Sequence, residues 1–189
     1  IVERGLQGFA KKLSWINPNV ITVAGIVPQI LFLIFMSNQQ WDWAIVMLIL
    51  APLDMLDGII ARANNKTSAF GGFLDSTIDR IGDFLIIAGL YAGGLINLQL
   101  TALLILVSFL ISYARSRAEL ASEQKQTFDY GLIERPERIA FILTVVIVNV
   151  LFPTAGLGTY TLAEFLLAIL LMLSTITFFQ RVYQAYKKL

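Results

Sequence analysis

The chain of 189 residues contains no cysteine and no histidine. The missing cysteine excludes disulfide bonds, thiolate metal sites and a cysteine nucleophile, and the missing histidine removes the commonest zinc ligand and general base. Oxygen atoms are therefore the ligands left for a bound metal, which favours Mg²⁺, Mn²⁺ or Ca²⁺.

The chain is also poor in charge. Charged residues make up 14% of it, whereas soluble domains usually carry about 25%. Hydrophobic residues make up 57%, and the mean hydropathy is +0.74. At about 20 residues a span, the length leaves room for about six membrane-spanning helices with short turns. We therefore expect residues 1–189 to form a single all-α domain in a lipid bilayer, with no nucleic-acid partner.

The hydrophobic pattern divides this domain into a surface helix and a bundle. Residues 1–16 have apolar residues at helical spacing with basic residues among them, which predicts an amphipathic helix on the membrane surface. Residues 18–186 are expected to form the six-helix bundle. Its spans are placed at residues 18–36, from Trp41 into the aspartate pattern described below, 70–92, 100–119, 136–152 and 160–183. A polar loop is expected at residues 121–133 and a turn at residues 153–158.

The positive charges predict how this bundle is oriented. All fourteen lysines and arginines lie at the N-terminus, near the junction of spans two and three, around the loop between spans four and five, or near the C-terminal end. The turns at the other ends of the spans have none. Because cytoplasmic loops carry an excess of lysine and arginine, both termini are expected on the cytoplasmic side of a multi-pass cell-membrane protein.

Four aspartates lie close together in this apolar sequence: Asp54, Asp57, Asp75 and Asp79. An ionised aspartate near the centre of a bilayer costs about 2.5–3.5 kcal/mol, so the group needs something that stabilises it. Each pair is three or four residues apart and therefore shares one face of a helix. Two antiparallel spans joined by a short cytoplasmic turn would bring these faces together, and a divalent metal such as Mg²⁺ is the simplest stabiliser.

Small residues and one arginine lie between the aspartates. Gly58 and Gly71 leave room for a ligand to approach the backbone, Ala61 adds a small neighbour, and Arg62 offers a phosphate-binding fork. Together they give the pattern D-x-x-D-G-x-x-A-R, then eight residues, then G-x-x-x-D-x-x-x-D. This is the pattern of the CDP-alcohol phosphotransferase family, which the chain resembles over essentially its whole length.

The resemblance implies an enzyme that moves the phosphatidyl or equivalent group of a CDP-linked lipid, CDP-diacylglycerol or CDP-archaeol, to an alcohol and releases CMP. The four aspartates would hold two Mg²⁺ ions, or Mn²⁺ in their place. Asp79 would also be the general base that deprotonates the acceptor hydroxyl. The resemblance further implies a homodimer.

The same resemblance implies residues that contact the CDP group. Gly58, Ala61 and Gly71 would border the cytidine, and Arg62 would contact the diphosphate. Asn19 and Thr22, at the start of the first span, resemble the segment of the family on the nucleotide side.

Two arginine-rich segments bear on the acceptor. Arg115 lies near the end of span four, and Arg135 lies at the start of span five. Together with Arg138 and Arg181 they would form a cationic pocket beside the metals. Such a pocket suits an acceptor that itself carries phosphate. The two segments resemble the branch of the family that makes phosphatidylinositol phosphate or archaetidylinositol phosphate from inositol 1-phosphate. Glycerol 3-phosphate, which is also anionic, is the alternative acceptor.

A structural role is the main alternative for these charges. Pairing with Glu119, Glu134 and Glu137, or with lipid headgroups, would then involve Arg115, Arg117, Arg135 and Arg138, and Arg181 would anchor the end of its span. Asp83 continues the spacing of Asp79 but lies outside the family pattern, so we expect it to act within its helix or behind the site rather than in catalysis.

A different class of function is a cation channel or transporter that uses the acidic cluster as its ion path. This hypothesis predicts ion flux without a need for a CDP-lipid. It leaves Gly58, Ala61, Arg62 and Gly71 unexplained.

Overall fold

The computed structural model describes residues 17–54, 67–122, 128, 130–158 and 160–189. The predicted surface helix at residues 1–16 lies outside these ranges, as do Asp57, Gly58, Ala61, Arg62 and the side chain of Asp54.

The described part of the chain consists of seven α-helices and one small hairpin. The helices are α1 (Pro18–Ala24), α2 (Val27–Ser37), α3 (Trp41–Leu50), α4 (Ala69–Ala92), α5 (Leu98–Ala121), α6 (Arg135–Leu151) and α7 (Leu162–Lys188), and a 3₁₀ turn (Ala51–Asp54) follows α3. Strands β1 (Gly156–Leu157) and β2 (Tyr160–Thr161) pair antiparallel, with Gly156 opposite Thr161. The hairpin occupies the place where the sequence predicted a plain turn.

Polar side chains fix where the long helices begin. The side chain of Ser68 accepts a hydrogen bond from the Gly71 amide at the start of α4, and that of Asn97 does the same for Leu100 at the start of α5. Thr161 begins α7 with a reciprocal pair of hydrogen bonds to Glu164. Such caps satisfy backbone N–H groups that have no partner within the helix, so each helix starts within two residues of the predicted position.

Three segments of the described chain are long and apolar enough to cross a membrane: Pro18–Ser37, Leu98–Ala121 and Leu162–Lys188. The first contains a break between α1 and α2, because Pro28 has no N–H to continue the hydrogen bonding of α1. Large apolar side chains, among them Phe84, Phe109 and Phe179, cover the outer surface. The protein is therefore a membrane protein, and the count of six spans stays a prediction.

The core holds the helices in a fixed order. Helix α4 packs against α2 and α5, α5 packs against α7, and α6 packs against α3 and α7. Fully buried side chains fill the space between them, including Phe32, Leu48, Leu90, Val145 and Leu167. This packing brings the first half of α4, the end of α5, the start of α6 and the end of α7 to the same end of the bundle.

Helices α2 and α4 lie close together at Gly89. A Cβ atom at this position would lie 2.6 Å from Cε1 of Phe32 and 3.4 Å from Cα of Leu33. Phe32 is completely buried, so its ring has little room to move away. Gly89 is therefore required by the packing of the two helices.

We predict that Gly89→Ala lowers the stability of the bundle by about 1–3 kcal/mol, because the added methyl overlaps a buried ring. The matched control is Gly72→Ala on the same helix, where nothing lies within 4 Å of the added Cβ. That variant should be neutral or gain up to about 1 kcal/mol from the better helix propensity of alanine. Thermal unfolding in detergent measures both, and equal midpoints would contradict the close approach of α2 and α4.

Candidate active site

A cavity of about 710 Å³ lies at this end of the bundle, between α4, α5, α6 and α7. Six of the predicted site residues line it: Asp75, Asp79, Arg115, Arg135, Arg138 and Arg181. They come from four helices that are distant in sequence. Of the four predicted metal ligands, Asp75 and Asp79 have side chains that the structure describes. Both line the same cavity as all four predicted acceptor arginines.

The carboxylates lie on α4. Asp75 and Asp79 are one helical turn apart and half-buried, and both reach the cavity. Oδ1 of Asp79 lies 2.6 Å from Nη1 of Arg135, and its Oδ2 accepts a hydrogen bond from Nη2 of Arg80 at 3.4 Å. Carboxylate oxygens facing one cavity are suitable ligands for a hard divalent cation.

The described residues hold two of the four predicted metal ligands. In the ranges that the structure describes, no group of three acidic, histidine or cysteine side chains is placed to hold a metal. Asp57 and the side chain of Asp54 are not among those residues. The donor chemistry of Asp75 and Asp79 fits Mg²⁺ or Mn²⁺, and the complete ligand set stays a prediction.

The predicted nucleotide-side residues meet at the starts of α1 and α4. A Cβ atom on Gly71 would lie 3.1 Å from Oγ of Ser68 and 3.2 Å from Oδ1 of Asn19, so the glycine allows Asn19 to approach α4 closely. Thr22 is buried, and its hydroxyl donates to the carbonyl of Pro18. Contact of these residues with a nucleotide stays a prediction.

The arginines of the cavity differ in their surroundings. Arg115 is the most exposed of the four, and its Nε donates to Glu119 one turn further along α5 at 2.9 Å. Arg181 is buried, and its guanidinium donates to the carbonyls of Ile111 and Tyr130 and to the carboxylate of Glu134. A predicted structural pairing, that of Arg115 with Glu119, is thus present. Glu134 instead pairs with Arg181, for which no such pairing was expected.

Arg135 and Arg138 pair with α4 instead. Nε of Arg135 donates to Oδ1 of Asp83 at 3.2 Å, and Nη2 of Arg138 donates to Oδ2 of Asp83 at 2.8 Å. Asp83 is buried and connects two helices, in addition to a 3.7 Å contact with Arg80 on its own helix. The sequence signal was there: aspartates four apart at 79 and 83 and arginines three apart at 135 and 138 each present one helix face.

The chain matches one protein family over most of its length and has named relatives. Residues 15–180 match the family model described as CDP-alcohol phosphatidyltransferase. An archaetidylinositol phosphate synthase of Pyrococcus horikoshii is 40% identical over 192 aligned positions, which cover 100% of this chain and 94% of that protein. A phosphatidylinositol phosphate synthase of Mycolicibacterium smegmatis is 36% identical over 68% of this chain and 60% of its own length.

Solved structures show the same fold. The crystal structure of Mycobacterium tuberculosis phosphatidylinositol phosphate synthase with CDP-DAG bound superposes with a TM-score of 0.78 at 27% identity, over 97% of this chain and 94% of that one. The same protein in complex with manganese and citrate gives a TM-score of 0.76 at 27% identity, over 96% and 88%.

We predict that Arg138→Met destabilises the bundle by about 1.5–3 kcal/mol, because it removes the shorter of the two charged hydrogen bonds to the buried carboxylate of Asp83 and leaves that of Arg135. Arg115→Met removes an arginine from a pair in which both side chains are more than a third exposed. Its effect should stay below about 1 kcal/mol. Thermal unfolding in detergent compares the two variants, and an equal effect would show that burial does not distinguish these ion pairs.

Proposed function

Because the chain belongs to the CDP-alcohol phosphatidyltransferase family, we propose that it transfers the phosphatidyl-type group of a CDP-linked lipid to a phosphorylated polyol and releases CMP. The favoured acceptor is inositol 1-phosphate, and the donor is CDP-diacylglycerol or CDP-archaeol. The observation that carries this proposal is the single cavity in which Asp75 and Asp79 face Arg115 and Arg135. The names of the relatives and the CDP-DAG bound to the mycobacterial protein support the choice of acceptor and donor.

The transfer requires one nucleophile and one leaving group. The acceptor hydroxyl oxygen forms a bond to the lipid-side phosphorus of the donor, and the bond from that phosphorus to the bridging oxygen breaks. CMP leaves with the bridging oxygen. Asp79 accepts the proton of the hydroxyl, since its carboxylate lies at the wall of the cavity next to the arginines that would hold the acceptor.

A divalent metal completes the donor side of the site. We propose that Asp54, Asp57, Asp75 and Asp79 hold two Mg²⁺ ions, with Mn²⁺ as a substitute. When bound, these ions would neutralise the negative charge of the donor diphosphate and of the leaving CMP. The manganese complex of the mycobacterial relative supports a divalent metal in proteins of this fold. Gly58, Ala61, Arg62, Gly71, Asn19 and Thr22 are the proposed contacts of the CDP group.

Burial separates the acceptor arginines into two roles. The side chains of Arg115 and Arg135 are 39% and 16% exposed, whereas those of Arg138 and Arg181 are 7% and 6% exposed. We therefore assign contact with the acceptor phosphate first to Arg115 and Arg135. Arg138 and Arg181 support the cavity wall through their bonds to protein groups, and their charge adds to the attraction for an anion.

The membrane arrangement belongs to the same proposal. The enzyme would have six spans, a surface helix at residues 1–16, and its site and both termini on the cytoplasmic side of the cell membrane. Its functional form would be a homodimer. The arginines that line the cavity support the orientation, because they lie at the end of the bundle where the sequence concentrates its positive charge.

The acceptor is tested directly with a substrate panel. Purified protein is incubated with Mg²⁺, a CDP-lipid and one of inositol 1-phosphate, glycerol 3-phosphate, free inositol or glycerol, and CMP release is measured. We expect turnover with inositol 1-phosphate and little with the two neutral alcohols. If glycerol 3-phosphate is the only acceptor that gives turnover, it is the acceptor in place of inositol 1-phosphate. No turnover with any phosphorylated polyol would refute the proposed function.

Substitutions at the two described aspartates separate metal binding from proton transfer. Asp79→Asn should abolish turnover and leave part of the donor binding intact, because it removes the proton acceptor. Asp75→Asn should weaken the binding of Mg²⁺ itself. The metal affinity of each variant is measured by titrating Mn²⁺ and following donor binding. An equal loss of metal affinity in both variants would argue against a separate base role for Asp79.

A further inference from the structure

Asp83 connects the two sides of the candidate site. Its Oδ1 accepts a hydrogen bond from Arg135 at 3.2 Å, and its Oδ2 accepts one from Arg138 at 2.8 Å. As far as the described residues define it, Asp83 does not line the larger cavity. It lines two smaller cavities, one of about 20 Å³ beside Ile86 and Leu104 and one of about 290 Å³ beside Phe84 and Phe109. Seen from the larger cavity, Asp83 therefore lies behind the arginines.

The guanidinium of Arg135 is held at two points along α4: Nη1 contacts Asp79, and Nε contacts Asp83. Its Nη2 lies beside Gly82, where a Cβ atom would come within 3.4 Å of it. The planar fork of an arginine can bridge two carboxylates that are one helical turn apart. A lysine, with one ammonium group, has no such fixed fork. These contacts define one orientation of Arg135 across the helix.

We propose that Asp83 is a positioning residue that sets the affinity for the phosphorylated acceptor by holding Arg135 beside Asp79. This inference rests on the proposed function, and it assigns a role to a residue outside the family pattern. Asp83 binds Nε of Arg135 and so keeps its guanidinium next to Asp79. An acceptor phosphate bound to Arg135 then lies close to the carboxylate of Asp79, which takes the proton from the acceptor hydroxyl. Asp83 thus acts on the acceptor through Arg135 and does not touch the substrate.

A purely structural role predicts a different result. If Asp83 served only to neutralise Arg138, its loss would lower stability and reduce the amount of active protein, which lowers the apparent kcat for both substrates. A positioning role raises the KM of the acceptor selectively. The two roles also differ in coupling, because a residue that acts through Arg135 has no further effect on the acceptor once Arg135 is gone.

The experiment compares the wild-type protein with Asp83→Asn, Asp83→Glu, Arg135→Ala and the double variant Asp83→Asn with Arg135→Ala. The KM values of inositol 1-phosphate and of the CDP-lipid are measured for each, together with thermal stability in detergent. Gly89→Ala is the matched control, since it disturbs the packing of the same helix far from the arginines. Asp83→Glu keeps the charge, so it supplies a folded variant if Asp83→Asn is too unstable.

We expect Asp83→Asn to raise the KM of the acceptor about tenfold or more, as expected for weakened bonds to a charged group, and that of the donor less than about twofold. Asp83→Glu should give a smaller rise, and Asp83→Asn should add nothing in the Arg135→Ala background. A KM of the acceptor that stays unchanged in both Asp83 variants, or additive effects in the double variant, would overturn the inference while leaving the proposed function intact. A wild-type protein that turns over no phosphorylated polyol would overturn both.

Discussion

The pairing of charges between α4 and α6 is the interaction on which the rest of the site depends. Asp79 and Asp83 on α4 face Arg135 and Arg138 on α6, and these four side chains are buried or half-buried in a bundle with a mainly apolar core. Removing one member leaves a charge with reduced compensation, which costs far more than the loss of an exposed pair. The start of α6 is thereby held next to α4, and the cavity forms between them.

The same pairing explains how an apolar protein can keep a polar site at one end. Large apolar side chains fill the middle of the bundle, and Gly89 allows α2 and α4 to come into contact there. The charged residues of α4 are confined to its first two thirds, from Asp75 to Asp83. The packed core in the middle of the bundle and the ion pairs between α4 and α6 therefore both support the site. As a result, the arginines have defined orientations before a substrate binds.

Much of this arrangement could be predicted from the sequence. The spacing of the aspartates, together with the glycines, Ala61 and Arg62, identified the family, which the match over residues 15–180 confirms. Helix ends were predictable because capping residues such as Ser68 and Asn97 act locally. The partners of Arg135 and Arg138 were not, since nearby glutamates were equally plausible and the choice depends on how the whole bundle places the start of α6 relative to α4. The hairpin before α7 was missed for a similar reason: its strands have two residues each and leave no periodic pattern.

The most direct measurement is a structure of the protein with a CDP-lipid, Mg²⁺ and inositol 1-phosphate bound. We expect metal ions on Asp75 and Asp79, and the acceptor phosphate within hydrogen-bonding distance of Arg115 and Arg135. The ion pair between Arg138 and Asp83 should be unchanged. An acceptor phosphate bound outside the cavity between α4, α5, α6 and α7, with neither Arg115 nor Arg135 in contact with it, would contradict the account.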